Sequence, residues 1–148
     1  MNTYQIQHQI GIKAPLDSVY QALSTAGQLA RWWTSDTRGK SEVGSTLEFW
    51  FGQHCQKFEV TALVAGELVR WKAGSDTKGD WAGTEISFKL RSDDKQTWVH
   101  FTHSKWANDS EFLSHCSTKW AVFMLSLKDL LETGTGHPYP NDVQINHN

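Results

Sequence analysis

Residues 109–134 read DSEFLSHCSTKWAVFMLSLKDLLETG, and this pattern predicts one long amphipathic helix. Its apolar residues recur three or four positions apart, so they form one stripe along a helix of about 3.6 residues per turn. Asp109 is suited to cap the first turn, and Gly134 is suited to the left-handed conformation that ends a helix. Since the stripe must be buried, the rest of the chain is expected to cover it. The stripe consists of Leu113, Cys116, Trp120, Phe123, Met124, Leu127 and Leu131.

Before this helix the apolar residues recur with a period of two, which is typical of strands with one buried face. Ile86, Phe88 and Leu90, for example, alternate with polar or charged residues. Short turns separate most of these segments, so neighbouring strands are expected to pair in antiparallel fashion. Strands are predicted at 4–12, 46–51, 58–64, 68–73, 84–91 and 97–103, short helices at 15–24 and 26–32, and loops at 34–40 and 74–83.

The predicted order is a strand, two short helices, a meander of five strands and the long helix. This order indicates an α+β domain in which a curved antiparallel sheet wraps around the C-terminal helix. A chain of 148 residues fits a single domain, 1–148. Residues 135–148 have no apolar periodicity and predict an irregular tail.

Composition excludes several classes of protein. The chain is 39% hydrophobic and 20% charged, with a net charge of -2. The absence of a basic cluster argues against a nucleic-acid partner. No apolar run approaches the roughly 20 residues that span a bilayer, so no membrane insertion is expected. Two cysteines make a disulfide framework improbable, and the first residues do not resemble a signal peptide, so we expect a cytoplasmic protein.

The sequence lacks the spacings that accompany common catalytic and metal sites. It contains no CxxC or HExxH pair, no GxSxG elbow and no glycine-rich phosphate loop. No metal, cofactor or catalytic residue is therefore predicted. His103 is a polar residue on the strand face that also carries Val99 and Phe101. It is either a structural histidine at the end of the strand, hydrogen-bonded to main chain, or a buried group with a lowered pKa that orients a ligand or relays a proton.

Aromatic residues are unusually numerous, with eight tryptophans and seven phenylalanines. Each large ring can bury about 150–250 Å² of surface. Two interpretations of this set stay open: an ordinary hydrophobic core, or the lining of a cavity.

Several segments together resemble the START-like (SRPBCC) superfamily and its helix-grip fold, and more narrowly the branch homologous to the activator of Hsp90 ATPase. Residues 12–23, IKAPLDSVYQAL, are similar to the first strand and helix of that family. The pair Trp32-Trp33 lies where the family often has tryptophan after its second helix. Residues 97–103 and 120–134 are similar to its last strand and closing helix.

The resemblance implies an apolar cavity between the sheet and the long helix. It favours binding of a small apolar or aromatic molecule over the alternative of a domain that docks on an Hsp90-type chaperone. A cyclase or hydratase that uses His103 is a third interpretation, weaker because His103 has no evident partner group. We therefore favour a binding protein over an enzyme. The expected cavity residues are Trp33, Phe49, Phe51, Phe58, Trp71, Phe88, Phe101, His103, Trp120, Phe123 and Met124.

Overall fold

Seven strands and three helices make up the described part of the chain, which in this computed structural model comprises residues 3–74, 77 and 79–146. The strands are β1 (Tyr4–Ile12), β2 (Asp36–Gly39), β3 (Thr46–Phe51), β4 (His54–Val64), β5 (Leu68–Ala73), β6 (Glu85–Ser92) and β7 (Thr97–Trp106). The helices are α1 (Leu16–Ser24), α2 (Ala26–Leu29) and α3 (Glu111–Thr133). Residues 75, 76 and 78 of the predicted loop 74–83, and residues 147 and 148 of the predicted tail, lie outside the described residues.

The strands form one antiparallel sheet in the order β1-β7-β6-β5-β4-β3-β2. Alternation places most large apolar side chains of the longer strands on the inner face, and Trp71, Phe88 and Phe101 are each 0% exposed there. The stripe of α3 packs on this face, with Trp120 2% exposed and Leu127 fully buried. The predicted α+β helix-grip fold is therefore confirmed.

The long helix runs beside the edge strand β1. His8 and the carbonyl oxygen of Ser117 are 2.9 Å apart, and the main-chain N–H of Lys13 donates to Glu132 at 2.8 Å. These contacts draw α3 toward β1. The opposite side of the inner face, toward β3 and β4, is left more open.

The predicted loop 34–40 is wrong at its centre, where Asp36–Gly39 forms β2. This strand pairs with β3, from Asp36 opposite Trp50 to Gly39 opposite Leu47. It lies at the edge of the sheet and buries neither face, so its polar residues show no apolar alternation. The predicted meander of five strands consequently contains six.

Three element boundaries also differ from the predictions by three or more residues. β4 begins at His54 rather than at residue 58, because Gly52 at φ 68° starts a two-residue turn that pairs Phe51 with His54. β7 continues past residue 103 to the buried Trp106. α2 ends at Leu29 instead of residue 32.

The ends of α3 show one confirmed and one wrong prediction. Gly134 follows the helix at φ 89°, and its N–H donates to the carbonyl oxygen of Leu130, as expected for a left-handed cap. The N-cap is Ser110 and not Asp109, and no side chain caps the first turn. No helix in the described residues combines the length and hydropathy needed to cross a membrane.

The described part of the tail, 135–146, contains no helix or strand, yet it lies against the rest of the protein. The N–H of Tyr139 donates to the carbonyl oxygen of Trp33 at 2.8 Å, and the N–H of Ser35 donates to that of Tyr139 at 3.1 Å. The Tyr139 ring packs against Phe51 with centroids 5.4 Å apart. The tail thus reaches the open side of the inner face.

Candidate functional site

A pocket of about 600 Å³ lies between the N-terminal half of α3 and the hairpin of β3 and β4. Trp33 and Trp120 contribute buried rings, Phe112 lies at the start of the helix, and the tail contributes Tyr139 and Asp142. Most of the lining is aromatic, with a few polar side chains among the rings. The lining residues are Trp33, Phe51, His54, Gln56, Trp81, Phe112, His115, Cys116, Lys119, Trp120, Phe123, Tyr139 and Asp142.

The structure divides the expected cavity residues into two groups. Trp33, Phe51, Trp120 and Phe123 line the pocket. The others lie behind it, in the packed core between sheet and helix. That core group consists of Phe49, Phe58, Trp71, Phe88, Phe101, His103 and Met124. The expected residues thus contribute some side chains to the pocket lining and most to the packed core.

Trp33 connects the two groups. Its ring centroid lies 4.2 Å from that of Phe49 and 6.0 Å from that of Trp71 in the core. On the pocket side it lies 4.8 Å from Trp120 and 5.7 Å from Phe51. Such close ring packing fixes the inner wall of the pocket, since each ring is held by several others.

His103 lies behind this wall, and both of its ring nitrogens form hydrogen bonds with other side chains. The indole N–H of Trp120 donates to Nδ1 at 3.1 Å, and Nε2 lies 2.9 Å from the hydroxyl of Thr84. Because an indole N–H can only donate, Nδ1 must accept, and the neutral ring carries its proton on Nε2. Thr84 in turn donates to the carbonyl oxygen of Trp81 at 2.7 Å. Burial lowers the pKa of His103 from 6.5 to about 3, so the ring stays neutral.

Tertiary contacts bring together several pocket residues that the sequence analysis did not predict to line a cavity. Phe112, Cys116 and Lys119 are four and three positions apart, so they lie on one face of α3. The same spacing in the first turns of the predicted helix could have identified this face. Trp81 is the one aromatic residue of the loop 74–83, which marks it as a candidate for burial. Tyr139 lies in a segment without apolar periodicity, so no sequence pattern indicated that it would line the pocket.

Two features of the pocket's polar groups limit their chemistry. Lys119 pairs with Asp142, whose side chain is 1% exposed. Burial raises the pKa of the Cys116 thiol to about 11, so the thiol stays protonated near neutral pH. Within the described residues no three His, Cys, Asp or Glu side chains come together as metal ligands. The lining is thus mostly apolar and carries a few polar groups.

Comparison with known proteins relates the chain to one family. A family model described as "Activator of Hsp90 ATPase homolog 1-like protein" matches residues 13–132. The Aha1 protein of Colwellia psychrerythraea, solved as a dimer in solution, is 48% identical, with 90% of this chain and 99% of that chain covered and a TM-score of 0.83.

More distant structures share the fold alone. A Staphylococcus saprophyticus protein is 17% identical, with 90% of this chain and 95% of that chain covered and a TM-score of 0.74. A Mesorhizobium loti protein is 16% identical, with 86% of this chain and 96% of that chain covered and a TM-score of 0.76. None of the curated proteins matches the chain.

Proposed function

The chain belongs to the activator of Hsp90 ATPase homolog 1-like family, and we propose that it binds a small apolar or aromatic molecule in the pocket between its sheet and α3. The observation that carries the proposal is the pocket itself, about 600 Å³ in volume and lined mostly by rings. Pockets for small molecules typically measure about 300–1,000 Å³ and combine apolar walls with a few polar groups. Trp33, Phe51, Trp120 and Phe123 are the sequence-predicted residues that we expect to contact the ligand.

We favour a binding protein over an enzyme. Of the lining residues, Asp142 is the one carboxylate, and Lys119 already pairs with it. The Cys116 thiol, with its raised pKa, is a poor nucleophile. His103, the residue on which the cyclase or hydratase interpretation depends, has both ring nitrogens bonded to protein.

A panel of fatty acids, sterols, flavonoids and polyketides tests the proposal by NMR. The eight tryptophans provide internal reporters, because each indole N–H gives its own signal. A ligand in the pocket should shift the indole signals of Trp33, Trp81 and Trp120. Trp50 and Trp98 do not line the pocket, and their signals should stay in place. If no member of the panel shifts the three pocket signals, the ligand-binding proposal fails.

Substitution of Phe112 should weaken binding of a ligand found in this way. Phe112 lines the pocket and is 45% exposed, so Phe112→Ala should leave the fold intact while it removes apolar contact with the ligand. We expect a loss of about 1 kcal/mol, or roughly fivefold in Kd, measured by calorimetric titration. Leu125→Ala is the matched control, because Leu125 is 56% exposed on the same helix and does not line the pocket. Equal effects of the two substitutions would place the ligand elsewhere.

A second candidate function is interaction with an Hsp90-type chaperone. The 48% identity to a protein named Aha1 favours it, and so does the family to which the chain belongs. The test is the ATPase rate of an Hsp90-type protein measured with and without this chain. A concentration-dependent rise would support the co-chaperone function, and an unchanged rate together with no binding in NMR titration would reject it.

We further propose a cytoplasmic location. Cys55 and Cys116 are both free thiols, which suits a reducing compartment. Fractionation of the source cells tests this proposal, and recovery of the protein outside the cytoplasm would contradict it.

A further inference from the structure

The end of the described tail, residues 141–146, reaches the pocket through Asp142. The carboxylate of Asp142 pairs with Lys119 of α3, and both side chains line the pocket. The Asp142 side chain is 1% exposed, compared with 22% for Lys119. Nζ of Lys119 also donates a hydrogen bond to the carbonyl oxygen of Val143 at 3.3 Å. Lys119 therefore holds the end of the tail at the edge of the pocket.

Residues 141–146 are attached less firmly than the tail before them. Tyr139 is held through its main chain, by Trp33 at 2.8 Å and Ser35 at 3.1 Å. Among the described residues, every hydrogen bond from 141–146 to a residue outside the tail is made by Lys119. A ligand group that accepts the hydrogen bonds of Lys119 Nζ in place of Asp142 and Val143 would thus release residues 141–146 without disturbing Tyr139.

The buried carboxylate of Asp142 is only half satisfied. Its Oδ2 accepts from Lys119, whereas Oδ1 is buried and has no hydrogen-bond partner among the described residues. A buried charged oxygen without a partner is costly, because it has lost its hydration. Moving Asp142 into water would restore that hydration. The carboxylate of Asp142 is therefore easier for another anion to displace from Lys119.

We propose that Asp142 occupies the position of a ligand carboxylate, and that the pocket takes an aromatic carboxylic acid. This inference rests on the proposed ligand-binding function. Nζ of Lys119 lies 5.6 Å from the ring centroid of Phe123, which lines the pocket with Trp120. A flat aromatic body against these rings places an attached carboxylate at Lys119, where it replaces Asp142 and exchanges one charge-assisted hydrogen bond for another.

The test compares 2-naphthoate with its uncharged amide, 2-naphthamide, by calorimetric titration. Asp142→Asn removes the competing charge, so naphthoate should bind about tenfold tighter, in keeping with the strength of hydrogen bonds to charged groups. The affinity for the amide should change by less than about twofold, because it carries no charge to compete for Lys119. Lys119→Met should abolish the preference for the acid over the amide. Asp94→Asn, in the turn between β6 and β7, is the control that removes the same charge away from the pocket.

Tighter naphthoate binding in Asp142→Asn but not in Asp94→Asn supports the inference. Equal naphthoate affinity in the unchanged protein and Asp142→Asn overturns it, and amide binding in the same samples keeps the proposed function intact. No binding of either compound by any variant overturns the inference, and the NMR panel then decides the proposed function separately. The amide signals of Val143 and Gln144 give a second readout that needs no substitution. Naphthoate binding should move these signals, and unmoved signals in the bound protein overturn the inference even if Lys119→Met fails to fold.

Discussion

His103 illustrates how one polar residue is accommodated in an aromatic core. It is 0% exposed, and its two ring nitrogens connect Trp120 of the helix with Thr84, which precedes β6. The sequence left two interpretations open, a structural histidine bonded to main chain and a ligand-orienting group. The structure shows instead a structural histidine bonded to side chains. We infer that any effect of His103 on a ligand acts through the position of Trp120.

The titration of His103 predicts a dependence of stability on pH. Its pKa is lowered from 6.5 to about 3 in the folded protein, so below pH 6.5 the unfolded chain binds a proton that the folded protein does not. The free energy of unfolding should therefore fall as the pH falls from 6.5 toward 3, with a limiting slope of about 1.4 kcal/mol per pH unit from this group. At pH values well above 6.5 both states are neutral, and the contribution no longer changes.

His103→Gln provides the control, measured by urea unfolding at pH 6 and pH 5. A glutamine amide can accept from Trp120 and donate to Thr84, but it does not titrate. The unchanged protein should lose about 1 kcal/mol more than the variant between these two pH values. The interval lies above the range in which carboxylates with lowered pKa, such as Asp93, gain protons. Equal losses would show that His103 is not held neutral.

Among the elements, α3 combines two tasks along its length. Its C-terminal half is joined to the body of the protein, where Ser126 donates to the carbonyl oxygen of Trp32 at 2.8 Å and Glu132 accepts from Lys13. Its N-terminal half presents Phe112, Cys116, Lys119 and other residues to the pocket. The same helix thus stabilises the fold at one end and shapes the candidate site at the other.

Substitutions at Trp120 and Thr118, which lie within one turn of each other, test which face of α3 is buried. Trp120 is 2% exposed and packs 4.4 Å, centroid to centroid, from Phe101, so Trp120→Ala should cost about 3–5 kcal/mol of unfolding free energy. Thr118 is exposed, and Thr118→Ala should cost less than about 0.5 kcal/mol. Chemical denaturation of both variants checks this, and similar small losses would contradict the assigned face.

For the whole molecule, the sheet, helix and tail leave one side of the inner face open. α3 runs beside β1, so the space toward β3 and β4 is filled only partly, and the tail lies along its edge through Tyr139 and Asp142. A pocket formed between elements that separate on unfolding exists only in the folded protein. Binding there is therefore coupled to stability.

A ligand found by the NMR screen should raise the unfolding temperature. At a free concentration of about 100 times Kd, the free energy of unfolding should increase by about 2.7 kcal/mol, because the unfolded chain lacks the pocket. Calorimetric scans with and without the ligand measure the change. Phe112→Ala should reduce the increase at the same ligand concentration, and an unchanged unfolding temperature would argue against a site in the folded protein.

Local pattern was sufficient for the elements that bury one face. The stripe from Cys116 to Leu127 predicted α3, and alternation predicted β6 and most of β7, because burial of a face imposes a period on the sequence. Gly134 marked the helix end for a reason that is also local, the backbone conformation of a single residue. The polar edge strand β2 buries no face. Its sequence therefore has no apolar alternation that would have predicted a strand paired with β3.

The candidate site depended on tertiary structure. Alternation shows that Phe51 and Phe88 face inward, but not that Phe51 lines a pocket while Phe88 is enclosed by other rings. That difference depends on where α3 lies across the sheet and on where the tail returns. Both are set by contacts between residues far apart in the chain, such as Ser126 with Trp32 and Asp142 with Lys119. The period of the sequence shows on which face of its own helix or strand a residue lies. A pocket, in contrast, is bounded by several elements at once, so no single element's pattern reveals it.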